Sequence, residues 1–101
     1  MNDFDKLITD IEAEAKAEGP AAVAELRAFD ERFRLASELM TARHAMKISQ
    51  KELSRRSGVQ QAEISKIERG EVVPQITTMT RLLAPLGRRL AVVEDRERSA
   101  A

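Results

Sequence analysis

Gln60, Gln61, Ala62, Ser65 and Lys66 are the residues whose types and spacing suit recognition chemistry in this 101-residue chain. On a helix, positions 61, 62, 65 and 66 share one face. A Gln amide matches adenine N6/N7, a Lys ammonium suits guanine O6/N7, and an Ala methyl packs on the methyl of thymine. Taken by composition alone, the same residues also read as ordinary solvated helix positions. Covalent and metal chemistry is poorly provided for. There is no Cys, and His44 is the sole His, which excludes thiolates, disulfides and His- or Cys-rich metal sites. The acidic pairs Asp3/Asp5 and Glu12/Glu14 have no His or Cys beside them, and an exposed helix face does not shift carboxylates far enough for acid–base work. Neither an enzyme nor a cofactor is expected.

Two short helices must position that cluster. Ser49-Gln50-Lys51-Glu52 has the form of a capping box, with the Ser hydroxyl on the N3 amide and Glu52 reaching back. This helix is expected to stop at Gly58, with Val59 in a tight turn. A second is expected from Gln61 to Arg69, with Ile64 and Ile67 turned inward and Gly70 as its stop. Helix, Gly turn and helix within a small helical body make a helix-turn-helix arrangement, whose second helix offers its N-terminal end to a major groove.

The rest of the chain frames this unit. Phe4, Leu7, Ile8, Ile11 and Ala15 form an apolar stripe on an acidic helix that Gly19-Pro20 ends. Ala21 to Met46 reads as helix, with two apolar rows, Phe29-Phe33-Ala36-Met40 and Leu35-Leu39-Ala42-Met46, and with Asp30 as either a break or a cap. After Pro74 a helix carries Met79, Leu82, Leu83 and Leu86, its last turn distorted by Pro85 and ended by Gly87. Arg88–Val93 alternates and is β-branched, which predicts one short strand, followed by a frayed tail. The expected fold is all-α, with an N-terminal helical arm and one C-terminal β-strand.

Net charge is zero, yet it divides along the chain. Residues 1–31 hold nine acids and three bases, a net −6, whereas residues 32–89 hold twelve bases and five acids, a net +7. An acidic arm on a basic body suggests two partners, one basic and one polyanionic, although two solvated helical surfaces would share this pattern. The length suits one small domain. No apolar run reaches a membrane-spanning length and the N-terminus lacks the basic flank of a secretory signal, so a cytoplasmic protein with no membrane partner is expected.

The runs Ser49-Gln50-x-x-Leu53, Gly58-Val59-x-Gln61, Ile64-Ser65-Lys66-Ile67-Glu68-Arg69-Gly70 and Pro74 resemble the Xre/Cro-type helix-turn-helix of phage repressors over roughly residues 33–87. The resemblance implies base contacts from Gln61, Ala62, Ser65 and Lys66, and phosphate contacts from Gln50, Gln60 and Arg69. Lys47, Arg55 and Arg56 add one further candidate for phosphate. It also implies a partly buried ion pair, Arg43–Glu68, and both residues do lie among core positions, where a lone charge is costly. Two positions depart from the family. Gln60, a poor N-cap, stands where Ser or Thr is usual, and Ser54 replaces an Ala, so its hydroxyl must find a backbone acceptor.

The added arm and strand resemble HigA-type antitoxins, which bind a RelE/HigB-like ribonuclease toxin and repress their own operon as dimers. The implied organisation is a partner-binding or dimerising arm at 1–28 (Phe4, Leu7, Ile8, Ile11), a DNA-binding domain at 29–87, a dimer strand at 88–95 (Leu90, Val92) and a tail at 96–101. Its implied partners are double-stranded operator DNA, a basic ribonuclease toxin and a second copy of the chain. A stand-alone regulator and a protein-inhibitor module without DNA affinity are the alternative readings.

Overall fold

The computed structural model describes residues 2–95. Among these residues five helices follow one another: α1 (Asp3–Glu18), α2 (Pro20–Ala45), α3 (Gln50–Ser57), α4 (Gln61–Glu68) and α5 (Ile76–Leu83), the last running into a 3₁₀ turn, Ala84–Leu86. The Asn2 side chain caps α1 by accepting the Asp5 amide at 2.8 Å. Gly19, at φ 116°, closes the helix on the Ala15 carbonyl, and Pro20 then opens α2 at a position where its missing N–H costs nothing. The two helices pack as a hairpin. Only Ala15 of α1 is buried; Phe4, Leu7, Ile8 and Ile11 remain 67, 55, 39 and 38% exposed.

No break occurs at Asp30. The 26-residue α2 runs through it, because Ala, Leu, Glu and Arg favour helix on both sides. The expected boundary at 28/29 therefore falls inside one continuous helix. Its C-terminal half supplies Leu39 and Ala42 to a core shared with Leu53, Val59, Ile64, Ile67, Met79, Leu82, Leu83 and Leu86. Phe29 and Phe33 stay about half exposed and meet edge to face at 5.0 Å, with the Arg32 guanidinium over both rings.

Local chemistry sets the remaining ends. Ser49 Oγ accepts the Glu52 amide at 3.0 Å, one half of the expected capping box. Glu52 does not reach back to the Ser49 amide. It accepts instead from Arg55 and Arg56, because charge-assisted bonds to guanidinium groups outcompete one neutral amide. Ser54 Oγ donates to the Val59 carbonyl at 2.6 Å, which answers the hydroxyl's need for an acceptor. At Pro85 the α-helix tightens to 3₁₀ geometry, as a residue lacking its N–H requires.

The strand expected at Arg88–Val93 is absent: no strand occurs among the described residues, and the positions forecast for a dimer strand, Leu90 and Val92, lie in irregular chain. A strand needs a ladder partner, and among the described residues no second strand is present to supply one. Leu90, Val92 and Val93 are consequently exposed. The tail forecast at 96–101 lies outside the described residues. Among the described residues, no helix is long and apolar enough to cross a membrane.

Gly58 and Gly70 both have φ near +70°, but they differ in surroundings. A Cβ at Gly58 would meet open space, whereas one at Gly70 would come within 2.6 Å of the Phe33 ring. Gly58→Ala should therefore cost about 1 kcal/mol, the left-handed penalty alone. Gly70→Ala should cost about 2 kcal/mol, since the ring must also move. Urea denaturation midpoints check the order, and adding Phe33→Ala should remove the difference.

Candidate nucleic-acid interface

The turn 58–60 sets α4 across α3 with Ile64, Ile67 and Glu68 buried. That orientation leaves Gln61, Ala62, Lys66 and Arg69 exposed and Ser65 half-buried on the opposite face. The base-reading candidates thus share one surface, as their spacing requires. Gln60 takes the N-cap position in extended geometry, and its side chain caps nothing. The end of α4 that would enter a groove therefore keeps unsatisfied amides, which suit an anion or an acceptor edge.

Behind this surface, Arg43 and Glu68 meet in a bidentate pair. Arg43 Nε donates to Glu68 Oε2 at 2.8 Å and Nη2 donates to Oε1 at 2.9 Å, with side chains 10 and 2% exposed. Arg43 Nη1 donates to the Ile48 carbonyl at 2.9 Å, tying the α2–α3 connection to the same group. Burial pushes the Glu68 carboxyl up, but the hydrogen bonds from Arg43 and then Gln50 outweigh it and hold it below the usual carboxylate value.

Gln50 and His44 complete this network, and sequence reasoning missed both connections. Gln50 Nε2 donates to Glu68 Oε1 at 3.1 Å, so the residue forecast for phosphate is anchored to the ion pair. An amide carries two N–H donors, which leaves one for an anion. His44 Nε2 lies 3.1 Å from Arg43 Nη2. A guanidinium only donates, so a hydrogen bond here requires this nitrogen to be the acceptor. The sequence signal for both was only their proximity to Arg43 and to the α3 cap.

The other forecast phosphate ligands divide. Lys47 is exposed. Arg55 and Arg56 are engaged with Glu52, whose carboxyl is lowered to about 2, chiefly by the Arg55 hydrogen bond. Arg69 is engaged too: its Nε and Nη2 donate to Glu71 Oε1 and Oε2 at 2.9 and 3.1 Å, and its Nη1 donates to Ser65 Oγ. Hydrogen bonding from Arg69 holds the Glu71 carboxyl below its ordinary value, with the Lys66 charge adding to the effect. The arm residues Phe4, Leu7, Ile8 and Ile11 lie on the α1–α2 hairpin, remote in sequence from all of these groups and not joined to them by any bond described above. Among the described residues, no cluster of His, Cys, Asp or Glu is arranged to hold a metal ion.

The Helix-turn-helix family profile matches residues 39–93, more than half of the chain. An uncharacterized HTH-type transcriptional regulator of Haemophilus influenzae is 45% identical over 76 residues, covering 75% of this chain and 78% of that protein. A second such regulator, from Sinorhizobium fredii, is 47% identical over 45 residues, which is 45% of this chain but only 23% of that protein. Among solved structures, a Toxin-Antitoxin module from Streptococcus pneumoniae is similar with a TM-score of 0.57 and 44% identity, over 70% of this chain and 79% of that one.

The buried pair yields a stability test. Arg43→Met alone should cost about 3–5 kcal/mol, since it strands a buried carboxylate, whereas Arg43→Met with Glu68→Leu should cost far less. Glu68 titrates lower in the folded chain than in the unfolded one. Its contribution is therefore present above the unfolded value of about 4.3 and lost as pH falls through the folded value. Urea titrations from pH 7 down to pH 3 should show wild type losing more stability than the double variant; the surface carboxyl Glu52 is common to both and cancels.

Proposed function

The chain belongs to the helix-turn-helix family of transcriptional regulators, DNA-binding proteins rather than enzymes, and on that premise we propose that it is an antitoxin-type repressor. In this reading it binds operator DNA as a dimer through α4 and neutralises a basic RelE/HigB-like ribonuclease toxin through the α1–α2 arm. The observation that carries the proposal is the separation of two unlike surfaces. One is a basic helix-turn-helix with an exposed polar face on α4, and the other is an acidic hairpin with four apolar side chains left open to water.

An apolar stripe on a helix of this length is normally covered, because its burial is what stabilises the helix. A second arm is a poor cover, since two segments of net −6 repel each other. A basic protein fits both the apolar stripe and the charge, and the attraction would speed its encounter. The similarity to a solved toxin–antitoxin module supports the same choice.

Dimerisation follows from the size of the site. One α4 reads only four or five base pairs, so two bodies about 34 Å apart are needed for a specific palindrome. The exposed Leu90, Val92 and Val93 are the apolar residues that a second copy would cover. Val92→Asp should shift the sedimenting species toward monomer, and unchanged sedimentation would remove this segment from the interface.

Two variants test the two surfaces separately. Lys66→Ala should weaken operator binding by about 1–3 kcal/mol in gel-shift titrations at moderate salt while leaving partner binding intact. Leu7→Asp with Ile11→Asp should do the reverse. Expressed with the gene adjacent to its own, the wild-type chain should co-purify with a small basic ribonuclease and suppress its activity, and the arm variant should do neither. If DNA binding persists and no ribonuclease is bound, the stand-alone regulator reading replaces this one.

A further inference from the structure

We propose that Arg69 reads a guanine in the operator, held for that contact by Glu71 and Ser65; this replaces its forecast role as a phosphate ligand and rests on the DNA-binding function of α4. Arg69 follows the last residue of α4, and its side chain runs back one turn to place Nη1 on Ser65 Oγ. The guanidinium therefore lies over the polar face of α4 that carries the other base-reading candidates.

Glu71 is placed to fix it there. Gly70, at φ 70°, reverses the chain, with its own amide on the Ile67 carbonyl at 2.9 Å and the Glu71 amide on the Lys66 carbonyl at 3.0 Å. The Phe33 ring packed on Gly70 leaves that turn no room for a side chain. Glu71 is thus presented by backbone geometry, and it grips Arg69 along the Nε/Nη2 edge with two hydrogen bonds.

Donor arithmetic supports guanine. Of the five guanidinium N–H groups, two go to Glu71 and one to Ser65. The remaining two sit one on each Nη nitrogen, the number that the O6 and N7 acceptors of guanine require. The pair is exposed, 55% for Arg69 and 51% for Glu71, so it adds little to stability. Its consequence is orientation, because a fixed guanidinium loses less freedom when it binds. A phosphate ligand would be poorly served by the same arrangement, since Glu71 would set a negative charge beside the polyanion.

Selection from a random duplex DNA library, read by sequencing, tests the proposal with wild type, Arg69→Ala, Arg69→Lys and Glu71→Gln. Matched circular dichroism spectra and thermal midpoints show that each variant is folded. Wild type should enrich a motif with a guanine in each half-site. Arg69→Ala should lose preference at that position by roughly tenfold or more and keep the rest of the motif. Arg69→Lys should not restore it, because a point charge cannot make the forked contact. Glu71→Gln should weaken the same preference several-fold. The proposal is overturned if Arg69→Ala leaves the motif intact and only lowers the salt dependence of binding, or if Glu71→Gln tightens binding to all sequences alike. Wild type enriching no sequence at all would defeat the operator-binding reading itself, a result distinct from either.

Discussion

A carboxylate and a guanidinium taken out of water together set the geometry of the helix-turn-helix body. Arg43 comes from α2, Glu68 from the last turn of α4, and Gln50 from the first turn of α3, so one cluster ties three helices. Such a pair is not a large source of stability, because the desolvation of both ions offsets most of their attraction. Its effect is directional. A buried charge tolerates only arrangements in which its partner stays within hydrogen-bonding distance, whereas the Leu and Ile contacts around it would accept small slides and rotations. The angle at which α4 stands against α2, and hence the face that α4 leaves exposed, follows from this constraint.

The same pair reaches into the connection before α3. Arg43 Nη1 holds the Ile48 carbonyl, just ahead of the Ser49 cap, so the start of α3 is registered against the buried cluster. Gln50 then stands half-buried at the boundary between the interior and the surface, with its amide on Glu68.

α2 gives the molecule a second constraint. At 26 residues it extends about 39 Å, with its N-terminal half in the hairpin with α1 and its C-terminal half in the core. The acidic arm and the basic body are therefore joined by one continuous helix rather than by a linker. Phe33 lies midway and rests on Gly70 at the end of α4, so the base of the arm also touches the turn that presents Glu71.

Much of this molecule was legible in its residue order because the signals are local. Gly19-Pro20, Ser49, Gly58, Gly70 and Pro85 mark helix ends through backbone dihedrals and missing or supplied hydrogen bonds, which depend on near neighbours alone. The inward Ile64 and Ile67 and the outward Gln61, Ala62 and Lys66 follow from helical period in the same way. Tertiary structure decided what depends on distant partners. Gln50 turned to Glu68, eighteen residues along the chain, a pairing that only three-dimensional proximity makes. The preferences of Glu52 for Arg55 and Arg56 over the Ser49 amide, and of Arg69 for Glu71 and Ser65, are competitions among near neighbours that residue order alone left undecided. The segment Arg88–Val93 shows the limit most clearly. Its alternation has the pattern of a strand, but a strand is made by the hydrogen bonds of a neighbour, and the described residues provide none.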